Sequence, residues 1–196
     1  GQGSSGDTDV IFLTGVNQNH SGIEIEASAQ LMAMLRLDAA ISIGNWAFDG
    51  DANGNYQEDQ FDSLGNVTGQ TTTNYDYALD GLKVGDMPQT AYVLGITLTP
   101  MPGLKAQVLY NMYDNNYSDW GPSAREYDST DPEDIPDTEQ VWKAPGYSKM
   151  DVHISYDLPS IGGLNLTAFA HIFNALDDVY VQDAVDHSQY NSYGDK

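Results

Sequence analysis

The chain has 196 residues, enough for one domain of ordinary size, with 13 Tyr, 19 Gly and no Cys. Its net charge of −22, from 29 acidic and 7 basic residues, repels nucleic-acid phosphates, so no nucleic acid is expected as a partner. With 40% apolar residues, no stretch approaches the roughly 20 uninterrupted apolar residues that a membrane-spanning helix needs, and nothing here depends on a disulfide.

Gly1–Asp7 has neither the basic residues nor the apolar run of a signal peptide, so the reading begins on a mature or internal segment. The first ordered pattern is an alternation of period two, the mark of a strand with two different faces. Ile23, Ile25, Ala27, Ala29 and Leu31 alternate with Glu24, Glu26, Ser28 and Gln30. After the short connection Leu31–Met34, Leu35, Leu37, Ala39, Ile41 and Ile43 alternate with Arg36, Asp38, Ala40 and Ser42. A long polar connection is expected over about 49–88, rich in Asp, Asn, Gly and Thr.

The third strand sets Tyr92, Leu94, Ile96 and Leu98 against Ala91, Val93, Gly95, Thr97 and Thr99. Pro100–Met101–Pro102–Gly103 then forces a tight turn. The fourth sets Leu104, Ala106, Val108, Tyr110 and Met112 against Lys105, Gln107, Leu109, Asn111 and Tyr113. A second long loop is expected over about 116–146, where Asp128 to Glu139 holds six acidic residues. The fifth strand sets Met150, Val152, Ile154, Tyr156 and Leu158 against Lys149, Asp151, His153, Ser155 and Asp157. Beyond the turn Pro159–Gly163, the sixth sets Leu164, Leu166, Ala168, Ala170 and Ile172 against Asn165, Thr167, Phe169, His171 and Phe173. A polar stretch, about 177–196, closes the chain as a third external loop.

Alternation alone fits a soluble sandwich as well as a membrane barrel. The connections discriminate: they run short, long, short, long, short, long, the asymmetry of outer-membrane barrels with tight periplasmic turns and large external loops. The expected fold is therefore all-β, an antiparallel transmembrane β-barrel segment of about six to eight strands. Trp46, Phe48, Tyr113, Tyr117, Trp120 and Tyr147 stand at the long-loop ends of strands, where Tyr and Trp favour the headgroup level. So few strands leave open edges that lipid cannot satisfy, and the inward positions suit a wide, wet lumen, so the chain is read as part of a larger barrel.

Several segments resemble those of TonB-dependent receptors. Asn19–His20–Ser21–Gly22–Ile23–Glu24–Ile25–Glu26 is similar to their SRGVELE strand. Tyr147–Ser148–Lys149–Met150–Asp151–Val152–His153 resembles their YxxLDLxxxY strand, and Ala170–His171–Ile172–Phe173–Asn174–Ala175–Leu176–Asp177–Asp178–Val179–Tyr180 resembles their NLFDKxY signature. Val84–Gly85–Asp86–Met87–Pro88–Gln89 looks like the approach to a downward strand in the Bacteroidota branch. The resemblance implies a C-terminal segment, over residues 1–196, of a 22-stranded barrel in a bacterial outer membrane, without its N-terminal plug and final strand. It implies active uptake of a scarce nutrient such as siderophore-bound iron, cobalamin or an oligosaccharide. The partners would be outer-membrane lipid, the remainder of the receptor and the TonB energy-transducing complex. No catalytic residue comes with the family, and no nucleophile–base spacing or phosphate loop suggests an enzyme.

Two constellations have metal chemistry. Asp49–Gly50–Asp51–Ala52–Asn53–Gly54–Asn55 reproduces the first half of a calcium loop, with Asp49, Asp51, Asn53, Asn55 and Glu58 as candidate ligands and Gln60 at the twelfth position. His153 and His171 face the same way on neighbouring strands, and a turn centred near Ser160–Ile161 sets Asp151 opposite His171. A polar cross-strand pair lining a wet lumen is the preferred explanation of the histidines. The competing reading of the whole chain is a secreted, calcium-binding β-sandwich for adhesion, which would bury Ile25, Ile41, Ile96, Val152 and Ile154 in a dry core. A passive porin is a third reading.

Overall fold

The structure, a computed structural model, describes residues 12–160 and 162–186, with the side chains of Phe12, residues 56–58 and Ser123 left aside. It is all-β. Six long antiparallel strands form one sheet: β2 (Gln18–Met32), β3 (Leu35–Phe48), β6 (Thr90–Met101), β7 (Leu104–Asp114), β12 (Tyr147–Asp157) and β13 (Thr167–Ile172). Their order is β13-β12-β7-β6-β3-β2, so each neighbour in the sheet is also the next long strand along the chain. All six match the strands expected from alternation.

The remaining elements lie in the long connections. They are β1 (Phe12–Thr14), β4 (Ala52–Phe61), β5 (Val67–Tyr77), β8 (Asn116–Tyr117), β9 (Asp119–Trp120), a single helical turn α1 (Pro122–Arg125), β10 (Glu126–Tyr127), β11 (Lys143–Ala144) and β14 (Val185–Asp186). The segment 49–88 is thus not one loop. Most of it is the hairpin β4–β5, which β1 and β10 extend to four strands. Both faces of that hairpin are polar, with Asn53, Asp59 and Gln60 opposite Asp76, Gln70 and Gly69, so no apolar period announces it. Its turn is held by the Asp62 carboxylate, which accepts from the backbone N–H groups of Leu64 (2.8 Å) and Asn66 (2.9 Å). The 116–146 segment likewise carries short strands: β11 pairs with β8, and β10 with β5. After β13 the chain returns to lay β14 beside β9. Of the third expected loop, residues 187–196 lie outside the described residues.

Register keeps the two faces of the six-stranded sheet separate all the way across. One row on the aliphatic face reads Ala29, Leu37, Ile96, Val108, Val152, Ile172. The neighbouring row on the other face reads Gln30, Arg36, Thr97, Gln107, His153, His171. The aliphatic face is bare: Ile25 is 60% exposed and Ile96 45%, and Ile41, Leu94 and Ile154 are also exposed. On β3 and β6 the polar face is the more enclosed one, with Thr97, beside Ile96 in the chain, only 9% exposed, whereas on β2 and β13 both faces are exposed. A water-soluble sheet has the opposite arrangement.

The buried core lies elsewhere, at the long-connection end. Phe48, Ala52, Tyr77, Leu79, Leu82 and Val141 form it, with Tyr75, Val84, Tyr117 and Trp120 packed against it. The end of β3, the base of the hairpin and the 116–144 segment therefore fold onto one another as a cap. Arg125, 2% exposed, ties the cap together. Its Nη1 donates to the carbonyls of Asp137 (2.9 Å) and Glu139 (2.7 Å), and its guanidinium pairs with the carboxylates of Asp137 and Asp186, each at 3.2 Å.

Candidate binding face and its side chains

The polar face of the six-stranded sheet collects the chain's chemistry-bearing side chains. At the β2–β3 edge Glu24 and Glu26 stand beside Ser42, whose hydroxyl donates to Glu24 Oε1 at 3.3 Å, and Arg36 pairs with Asp38 at 2.7 Å. In the middle, Gly95 leaves room for its cross-strand neighbours. A Cβ there would stand 3.2 Å from Leu109 Cδ2 and 3.3 Å from Asp38 Cβ. Gln107 Nε2 donates to Thr97 Oγ1 at 3.3 Å.

His153 and His171 are direct cross-strand partners, with Nδ1 atoms 2.7 Å apart and ring centroids 4.9 Å apart. Asp151 is not opposite His171. Its Oδ1 accepts from the Asn174 backbone N–H at 2.8 Å. The turn is centred one residue later than expected, and Gly162 and Gly163 both adopt positive φ (60° and 81°) within it. Partners therefore slip by two, which preserves the faces but exchanges the carboxylate for a second imidazole.

Toward the long-connection end of the same face the rings of Tyr113 and Tyr147 stand 4.9 Å apart. Tyr180, from the segment after β13, stacks on Tyr147 at 4.3 Å and 7°. Lys149 Nζ lies 5.7 Å from the Tyr113 and Tyr180 centroids, a cation–π arrangement. This corrects the expected headgroup girdle. Tyr113 and Tyr147 pair with each other on the polar face, Trp46 shares that face and stacks on His20 at 5.6 Å, and Phe48 and Trp120 belong to the cap. The aromatic residues on the aliphatic face are Tyr92, Tyr110 and Tyr156. Strand parity in the sequence already separates the two groups.

The expected calcium ligands do not form a loop. From Ala52 the chain is strand, so alternate residues stand about 6.8 Å apart. Asp51, Asn53 and Asn55 cannot all bring oxygens within about 2.5 Å of one ion from that geometry. Asp51 instead clamps the cap. Its Oδ1 accepts from the N–H groups of Leu79 and Asp80, each at 3.0 Å, and its Oδ2 from the Tyr127 hydroxyl at 3.0 Å. Burial, then the hydrogen bond to Asp51, raises the Tyr127 hydroxyl above the usual tyrosine pKa. Asn53 Nδ2 donates to Asp76, Asp49 N donates to the Asn17 carbonyl at 3.0 Å, and the backbone of Asn55 pairs with that of Asn74. The Glu58 side chain lies outside the described residues. Among those described, no three His, Asp or Glu side chains come together as a metal group.

A carboxylate cluster that sequence reading did not find sits where the 84–88 segment crosses β8–β9. Asp86 (φ 63°) faces Asp183 and Asp119. Partial burial, then the charges of Asp183 and Asp119, pushes its carboxyl above the usual range. Gly85 makes the crossing possible, since a Cβ there would stand 2.5 Å from the Ser118 carbonyl oxygen.

In comparisons with known proteins, no family model, curated protein or solved structure matches the chain.

Proposed function

We propose that the six-stranded sheet is part of the wall of an outer-membrane β-barrel, and that the chain is a segment of a TonB-dependent receptor that takes up a scarce nutrient. The carrying observation is an aliphatic face shared by six neighbouring strands and exposed on β2, β3, β6 and β13, set against a polar face that is the more enclosed one on β3 and β6. Hydrocarbon is the environment in which such a face is stable.

The position of the aliphatic band within the register supports the same reading. On β2 and β3 its midpoints, Ala27 and Ala39, are paired to each other, and that row continues through Leu94, Tyr110 and Met150. On β6, β7 and β12 the midpoints are Gly95, Val108 and Ile154, displaced from that row by one, two and four residues toward the short turns. On β13 the midpoint is Ala168, displaced by six from the position opposite Met150. Six residues at about 3.4 Å each, over five strand spacings of about 4.8 Å, give a tilt of about 40°. Strands of membrane barrels tilt by about 35–45°. At that angle the eight-residue step from Leu35 to Ile43 spans about 21 Å of height, close to the apolar band of about 25 Å in such barrels.

Both outer strands, β2 and β13, have one unpaired edge in this sheet. In a bilayer those edges need partners, which the remaining strands of a 22-stranded receptor would supply. The segments that resemble the family lie on β2, in the connection just before β6, at the start of β12, and from the end of β13 to Tyr180. The polar face would border the lumen and the cap would face the cell exterior, where both can contact a solute. Energy delivered through TonB to the plug would do the work of uptake, with no catalysis by this segment.

The chain has no Cys, so single cysteines can carry spin labels along β6 of the full-length protein in vesicles. Labels at Leu94, Ile96 and Leu98 should collide with oxygen dissolved in the bilayer, and those at Val93, Gly95 and Thr97 should not. Labels at the first three that are shielded from both oxygen and aqueous reagents would mean a dry protein core and would overturn the proposal.

A further inference from the structure

We propose that His153 and His171 form a two-nitrogen site for a first-row divalent transition metal, copper(II) foremost. The inference goes beyond the transport reading and stands without it, because it rests on the β12–β13 register alone.

Direct opposition on an antiparallel pair fixes the two imidazoles relative to one another. Aromatic rings flank them: Phe173 lies 5.7 Å from His153 and 6.1 Å from His171, and Phe169 lies 5.3 Å from His171. The pair opens on a polar recess of about 310 Å³, also lined by Lys105, Gln107 and Ser155, with room for water to complete a coordination shell. Asp151 and Asp157 share that face of β12 and offset the Lys105 charge.

The separation of the nitrogens suits chelation. Two imidazole nitrogens bound at about 2.05 Å stand about 2.9 Å apart at a right angle and about 3.3 Å apart at a tetrahedral angle. The observed 2.7 Å lies within a few tenths of an ångström of both, so the choice of metal rests on affinity and on the small number of protein ligands. Square-planar preference belongs to copper(II) and nickel(II), and copper(II) binds imidazole more tightly. With both rings neutral, one Nδ1–H donates to the other Nδ1. On metal binding that proton moves to Nε2 of its own ring through solvent, both Nδ1 lone pairs turn to the metal, and no net proton is released.

The test is copper(II) titration of the full-length protein in detergent, with paramagnetic resonance to count the nitrogens bound. The 196 residues hold four histidines, and all histidines outside the pair are cancelled by subtracting the spectrum of the His153→Gln, His171→Gln double variant. That difference is expected to amount to one equivalent of copper with a two-nitrogen signature, and to persist when His20→Gln and His187→Gln are introduced. His153→Gln or His171→Gln should weaken binding by about tenfold or more, with strand circular dichroism unchanged. No copper binding by the wild type, a one-nitrogen signature, or full affinity in the two single variants would overturn the proposal. Where a glutamine variant loses its strand circular dichroism, His153→Asn or His171→Asn takes its place in the subtraction.

Discussion

Ile96→Arg separates a lipid-facing sheet from a water-facing one. Ile96 is 45% exposed, lies between Leu37 and Val108, and stands one residue from the middle of the aliphatic band on β6. One residue along a strand tilted by about 40° is about 2.6 Å of depth, so the new guanidinium would sit nearly at the bilayer midplane. Arginine there costs about 2–4 kcal/mol, a loss of about 30- to 800-fold in the folding equilibrium. Leu98→Arg places the same charge about 8 Å from the midplane, where the cost falls toward about 1 kcal/mol. Ser42→Arg, on the polar face beside Glu24, should change stability by less than about 0.5 kcal/mol. Reversible denaturant unfolding of the full-length protein in vesicles, followed by tryptophan fluorescence, measures all three. In water an exposed isoleucine at position 96 would tolerate arginine within about 0.5 kcal/mol. Three equal and small effects would therefore refute the lipid-facing assignment.

Further expectations concern the cap. Gly85→Ala puts a methyl 2.5 Å from the Ser118 carbonyl oxygen and should cost about 1–3 kcal/mol, read as a lower melting temperature of the Trp120 environment. Arg125→Met removes the buried cation between Asp137 and Asp186 and should cost about 3 kcal/mol, with faster proteolysis within 122–141 as the readout. For Asp86 the folded pKa is raised above 3.8, so its contribution to stability is complete below 3.8 and is lost as pH rises through the folded value. Asp86→Asn, which tolerates the same left-handed backbone, should therefore melt higher than wild type at pH 7 and converge with it below pH 3.8. Parallel melting curves across that range would contradict the carboxylate repulsion.

Much of the fold was legible in the residues because a strand with unlike faces writes its period directly into the chain. Alternation located β2, β3, β6, β7, β12 and β13, and short connections, with proline and glycine after β6 and β12, made the β2–β3, β6–β7 and β12–β13 hairpins antiparallel. The β4–β5 hairpin was illegible because Asn, Gln, Asp and Thr occupy both of its faces, leaving its pairing to backbone hydrogen bonds and to the Asx turn at Asp62. The D-x-D-x-N-G sequence is ambiguous for a related reason. Its oxygens serve a turn and a strand entry as readily as an ion, and in the structure those of Asp51 accept from residues 79, 80 and 127.

What the sequence by itself determined was the six strands of the main sheet and the division of their side chains into two sets, since both follow from a period of two. Tertiary structure alone decided which set is the more enclosed on β3 and β6, which residues meet across the β12–β13 turn, and that the buried core belongs to the long connections. Those outcomes depend on register and on contacts between segments distant in the chain, which local side-chain order does not encode. A shift of one residue in the turn replaced Asp151 with His153 opposite His171 while leaving every face unchanged.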